Sequence, residues 1–175
     1  MRFILSITLF LVSAISFAQE TMGFQPYRLT FESGYYHAAK RDANGYHSQF
    51  DFAVSKKNHL IKLNLSTGLG TRLGPSPESR NLGEIIIEEI FFPFRYGIAS
   101  GQYGYAMDLS NKVLLEPYIG GGVLFANDSS YLVIPVSVKV IYTLDAPIDL
   151  GISGNYQINA LNDFYTVSAV VGYRF

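Results

Sequence analysis

Phe164 to Phe175 reads FYTVSAVVGYRF, and the way its residue types alternate decides the fold. Tyr165, Val167, Ala169, Val171, Tyr173 and Phe175 are apolar or aromatic. Thr166, Ser168, Gly172 and Arg174 between them are mostly small or polar. A β-strand sends successive side chains to opposite faces, so this segment has one apolar face and one polar face. The sequence ends on an aromatic residue.

The same period of two recurs upstream. In Tyr27 to Tyr36, Tyr27, Leu29, Phe31 and Tyr35 oppose Arg28, Thr30, Glu32 and Gly34. In Tyr46 to Val54, Phe50, Phe52 and Val54 oppose His47, Gln49, Asp51 and Ala53, and in Leu60 to Gly70, Ile61, Leu63, Leu65 and Leu69 oppose Lys62, Asn64, Ser66, Gly68 and Gly70. Ile85 to Tyr96 predicts a strand with Phe92, Phe94 and Tyr96 on its aromatic face, bulged at Pro93, which cannot donate to a ladder. Val113 to Ala126, Tyr131 to Tyr142 and Ile148 to Ile158 complete the set; the three glycines Gly120 to Gly122 predict a bend or close packing. Turn chemistry at Asn44-Gly45 and in Ser55 to Asn58 separates the early strands, and Thr71 to Gly83 is a longer Gly/Pro/Ser loop. Gly97 to Lys112 fits no short turn: it reads as a strand extension, a short helix, or an extra hairpin that would raise eight strands to ten.

Eight antiparallel strands of about ten residues suit a closed bilayer-spanning barrel. Closure matters because lipid cannot hydrogen-bond a free sheet edge. A soluble barrel has the same period with an apolar interior; its other face would carry many Lys and Glu. Here that face carries Gly, Ser, Thr, Asn and Gln, and only 15% of the 175 residues are charged, against 49% hydrophobic. Tyrosines near predicted strand ends (Tyr27, Tyr35, Tyr46, Tyr96, Tyr131, Tyr142, Tyr156, Tyr165, Tyr173) suit interfacial girdles. The expected fold is therefore an all-β, closed antiparallel transmembrane up-and-down barrel with its apolar face outward.

The first eighteen residues, with Arg2 ahead of an apolar run from Phe3 to Val12 and Ser16-Phe17-Ala18 as a cleavage site, read as a signal peptide, leaving 19–175 as one barrel domain. No later stretch is long and apolar enough for a membrane-spanning helix. The chain has no Cys, which excludes disulfides and thiol chemistry, and its net charge of −1 gives no electrostatic case for nucleic acid.

The signal peptide, strand period and terminal GYRF together resemble the small eight-stranded outer-membrane barrels of the OmpX and OmpA transmembrane-domain type, over essentially the whole mature chain. The resemblance implies residence in the bacterial outer membrane, contact with its lipid, and recognition of Tyr173 and Phe175 by the barrel assembly machinery. The chain departs from the OmpA type in that no C-terminal peptidoglycan-binding domain is expected.

Strand parity assigns Arg28, Lys62, Arg95, Lys139 and Arg174 to the lumen, with Glu32, Asp51, Glu89, Glu116 and Asp149, five of each sign. Interleaved opposite charges are tolerable in a narrow lumen where isolated ones are not, so they are expected to form a structural network that plugs it. The expected function is a non-enzymatic surface, structural or interaction protein, with a surface ligand held, if at all, by loops 38–45 and 71–83. A small porin is the first alternative. The second is a lipid A-modifying enzyme built on His37, Asp42, His47 and Ser48, whose order and spacing match no such family; a His–Ser–acid set can activate a hydroxyl. His59 reads as solvated. The histidines lack the clustered carboxylates of a metal site, and the Gly run lacks the Lys-Ser/Thr of a phosphate loop, so no cofactor is expected.

Overall fold

The computed structural model of the chain describes residues 23–38, 43–70, 94–126 and 129–175, without the side chains of Phe94 and Arg95. Its strands are β1 (Gln25–Ala38), β2 (Ala43–Lys56), β3 (His59–Gly70), β4 (Phe94–Tyr105), β5 (Met107–Ser110), β6 (Val113–Ala126), β7 (Ser129–Thr143), β8 (Ile148–Asn159) and β9 (Phe164–Arg174). Each is antiparallel to its neighbours. The order β4-β3-β2-β1-β9-β8-β7-β6 closes on itself through β4–β6 pairing. The seam between the first and last strands is paired from Arg28↔Arg174 to His37↔Tyr165.

Gly97 to Lys112 resolves as wall rather than as a helix or an added hairpin. Residues 97–105 form most of β4, and after a break at Ala106 the short β5 continues along β6 only, beyond the end of β3. β4 and β5 thus occupy one wall position, which makes eight. Of the strand expected over Ile85 to Tyr96, the described part is residues 94–96, which open β4; residues 85–93, with Pro93 and Glu89, lie outside the described residues. Loop 71–83 lies outside them too. Asn44 and Gly45 are not a turn but the start of β2, opposite His37 and Tyr36.

The exterior is apolar. Leu29, Phe31, Phe50, Leu65, Ile134, Ile152, Val167 and Val171 are all exposed, while Arg28, Glu32, Lys62, Glu116 and Lys139 are at most 2% exposed. Water would not tolerate the first set outside or favour the second inside, so this arrangement suits a hydrocarbon surround. Exposed tyrosines form two rings, Tyr35, Tyr46, Tyr156 and Tyr165 toward the loop end, and Tyr103, Tyr105, Tyr142 and Tyr173 toward the chain termini. Three expected girdle members turn inward. Tyr96 is 3% exposed, at a register shift of the β3–β4 ladder between Gly68 and Leu69. The Tyr27 hydroxyl reaches lumenal groups across an irregular register between Pro26 and Arg28. Tyr131 is partly buried against the inner apolar cluster.

Candidate functional site

Eight strands leave a lumen just wide enough for side chains to fill, and the described side chains that enter it lie in three tiers. At the terminal end, β1 directs Arg28 inward. Its Nη1 donates to Glu116 Oε1 at 2.7 Å and its Nε to Asp149 Oδ2 at 2.8 Å. Glu116 is further held by the hydroxyls of Tyr27 at 3.0 Å and Tyr118 at 2.8 Å. Arg174, 36% exposed at the rim, has its Nε 3.5 Å from Asp149 Oδ1 and donates from Nη2 to the carbonyls of Leu144 and Ala146 at 3.0 Å.

The middle tier centres on Lys139 of β7, whose Nζ contacts Glu32 Oε1 and Asp51 Oδ2 and donates to Thr30 Oγ1 at 3.2 Å. Lys62 Nζ lies 3.6 Å from Asp51 Oδ2 and 4.2 Å from the centre of the Tyr118 ring. Asp51 also accepts from Asn64 Nδ2 at 2.7 Å and Gln49 Nε2 at 3.1 Å. Removing ions from water costs several kcal/mol each unless partners and hydrogen bonds offset it. Each of these carboxylates accordingly meets a cation. Arg28, Lys62 and Lys139 face four fully buried carboxylates, Glu32, Asp51, Glu116 and Asp149, and Arg174 at the rim supplies the fourth positive charge.

Toward the loops the polar ladder ends in His47. Gln49 gives its amide N–H to Asp51, so its oxygen accepts from His47 Nε2 at 3.3 Å; Nδ1 is then the acceptor for the Tyr96 hydroxyl at 2.7 Å. Beyond lies an apolar cap of Tyr36, Ala38, Ala43, Tyr96, Ile98, Leu124, Ala126, Val133 and Phe164. The Tyr36 and Tyr96 rings meet edge-on at 5.1 Å, and Tyr96 and Phe164 at 4.9 Å. Large rings fit because their cross-strand partners are glycines. Gly68 is opposite Tyr96 and Gly104 opposite Tyr118, and a Cβ on either would lie 2.0 or 2.3 Å from the facing ring. The Gly120–Gly122 run serves another purpose: Gly120 packs against the β4 backbone, and the β6–β7 ladder skips opposite Pro135, which has no N–H to give.

Of the sequence-assigned charges, Arg28, Glu32, Asp51, Lys62, Glu116, Lys139 and Asp149 lie in the lumen and Arg174 at its rim; Glu89 and the Arg95 side chain lie outside the described residues. The inner aromatics Tyr36, Tyr96, Tyr118 and Phe164 escaped the sequence reading. Tyr36 and Tyr118 share parity with Glu32 and Glu116, and that was the available signal. The described members of the His–Ser–acid set, His37, His47 and Ser48, do not share one face of the wall. His47 is buried and Ser48, its neighbour on β2, lies on the opposite face of the strand, while Asp42 lies outside the described residues. Among the described residues no group of three His, Cys, Asp or Glu is placed to hold a metal ion.

No protein-family model matches the chain, and no curated protein matches it in sequence. Solved structures do match in shape. Neisserial surface protein A (NspA) is similar at 12% identity and a TM-score of 0.57, over 86% of this chain and 97% of that one. The attachment invasion locus protein Ail of Yersinia pestis, in complex with the heparin analogue sucrose octasulfate, is similar at 10% identity and a TM-score of 0.50, over 86% of this chain and all of that one. At these identities the likeness is one of fold, and the fold is that of a small eight-stranded outer-membrane barrel.

Proposed function

We propose that the chain works in the bacterial outer membrane as a sealed, non-enzymatic surface barrel, which the cell uses to present its loops rather than to pass solutes. The observation that carries this reading is the two-part filling of the lumen: a cross-linked charge network toward the termini, and an apolar cap toward the loops. An ion crossing the pore would have to part Lys139 from Glu32 and Asp51 and then displace the Tyr36–Tyr96–Phe164 cluster. Both are penalised in a site this dry. The surfaces for a ligand or partner are the sequence-assigned loops 38–45 and 71–83, less Ala38 and residues 43–45, which belong to β1 and β2. NspA is named as a surface protein and Ail as an attachment protein, which supports that use of the loop end. Tyr173 and Phe175 act as the assembly signal. Phe175, 64% exposed, extends the closed seam, its N–H donating to the Tyr27 carbonyl at 3.2 Å.

Planar-bilayer recording tests the seal. The folded chain is expected to give no steady conductance above background in molar salt. Large, long-lived openings by the wild-type barrel would reject the proposal and favour a porin.

A further inference from the structure

The lipid-facing wall carries one polar anomaly. From the loop-side tyrosine ring down to the terminal-side ring, the described strand residues facing outward are apolar or glycine on every strand but three. The exceptions are Ser33 on β1, Ser48 on β2 and Thr67 on β3, and they are neighbours across the strands: Ser33 pairs with Ser48, and Ser48 with Thr67. The row above them is Tyr35–Tyr46–Leu69 and the row below Phe31–Phe50–Leu65.

Their depth follows from the stagger of the barrel. Traced round the ring, the register closes with a shift of about ten residues, so one hydrogen-bonded row climbs roughly 3 Å toward the loops at each step from β1 to β3. Thr67 is then level with the loop-side tyrosines, Ser48 about 3 Å deeper and Ser33 about 6 Å deeper. That is a stair of hydroxyls descending from the interface into the hydrocarbon.

A hydroxyl in that layer needs a partner, and the protein satisfies the row only in part. Ser33 Oγ and the Tyr46 hydroxyl share one hydrogen bond, which leaves one O–H of the pair free. Thr67 donates to the Tyr96 carbonyl at 2.9 Å and keeps its acceptor capacity. No described residue hydrogen-bonds the Ser48 hydroxyl. The row therefore offers donors at Ser33/Tyr46 and Ser48, and an acceptor at Thr67. We infer that this stair is a lateral docking site for an outer-leaflet lipid whose acyl chains are amide-linked and hydroxylated near the headgroup. Such a lipid brings carbonyl acceptors for the serines and an amide N–H or chain hydroxyl for Thr67. An ester-linked phospholipid with no donor in its headgroup, such as phosphatidylcholine, brings acceptors only and leaves Thr67 unmatched. The inference rests on the outer-membrane part of the proposed function and is independent of whether the lumen is sealed.

The test is lipid retention. The full mature chain is reconstituted in vesicles of phosphatidylcholine and lipid A, extracted into mild detergent, and weighed intact by native mass spectrometry. Wild type is expected to keep lipid A in preference to phosphatidylcholine. The S33A/S48A variant, which alters only lipid-facing hydroxyls and is checked for folding by its heat-dependent gel mobility, is expected to keep at least fivefold less. S33T/S48T, which restores the hydroxyls, is expected to recover it. Equal retention of lipid A by wild type and S33A/S48A, or equal retention of the two lipids by wild type, overturns the inference. Conductance bears on the sealed lumen alone, and a barrel that needs no detergent would sink the membrane reading instead.

Discussion

Replacing Lys139 with methionine keeps the length of the side chain and removes its charge. Lys139 is 2% exposed and lies between Glu32 and Asp51, themselves 0% and 1% exposed. The substitution strands two carboxylates, of which Asp51 keeps Lys62 at 3.6 Å and Glu32 keeps the Ser153 hydroxyl as a hydrogen-bond donor. Breaking a buried pair from one side costs about 3–5 kcal/mol. Divided by a denaturant slope of about 1.5–3 kcal/mol per molar urea, that lowers the unfolding midpoint by roughly 1–3 M. The neutral double variant K139M/E32Q removes the unpaired carboxylate as well, and most of the loss is expected to return, since apolar or neutral replacements of whole buried pairs are often tolerated. Reversible urea unfolding in lipid vesicles, followed by electrophoretic mobility and tyrosine fluorescence, reads both; the chain has 13 Tyr and no Trp. A midpoint shift for K139M under about 0.3 M, or a double variant worse than the single, would refute the claim that this network is a paired, dry assembly rather than a set of solvated charges.

Three further outcomes are expected in the same unfolding assay. Gly68→Ala should destabilise by about 1–3 kcal/mol, because its Cβ would lie 2.0 Å from the Tyr96 ring, whereas Gly101→Ala, with nothing within 4 Å, should be close to neutral. Tyr96→Phe should cost about 1–3 kcal/mol by stranding buried His47 Nδ1, with the ring packing kept. Arg28→Ala should cost far more than Arg174→Ala, since Arg28 closes two contacts under 3 Å while Arg174 is partly solvated and 3.5 Å from Asp149.

Much of this was legible in the sequence because a closed barrel writes its wall as a period of two. β6 to β9 follow the alternation almost residue for residue, and parity alone assigns Arg28, Glu32, Asp51, Lys62, Glu116, Lys139 and Asp149 to the inside. It failed where alternation weakens. Around β4 the run GIASGQYGY has glycine or alanine at most outward positions, so alternation there does not separate a strand extension, which it is, from a short helix or an extra hairpin. Carried along from Ile85, the alternation also puts Tyr96 on the outer face, whereas the register shift opposite it turns it inward. The apolar cap was hidden for a related reason. Alternation at the loop ends gives way to apolar residues on both faces, as at Tyr35-Tyr36. Whether such a residue faces lipid or lumen then depends on a cross-strand glycine such as Gly68, which no single strand reveals. Ser33, Ser48 and Thr67 lie on three different strands, and only the register shows that they are neighbours.

The most direct measurement is a cysteine scan of β7 from Leu132 to Tyr142, each site unique because the chain has no Cys. Spin labels on the barrel in lipid vesicles are exposed in turn to oxygen, which partitions into hydrocarbon, and to a water-soluble nickel complex. Labels at 132, 134, 136, 138 and 140 should collide with oxygen, and those at 133, 137, 139 and 141 with neither reagent. Nickel access to the even-numbered face, or the reverse period, would contradict an apolar exterior bathed in lipid around a filled polar core.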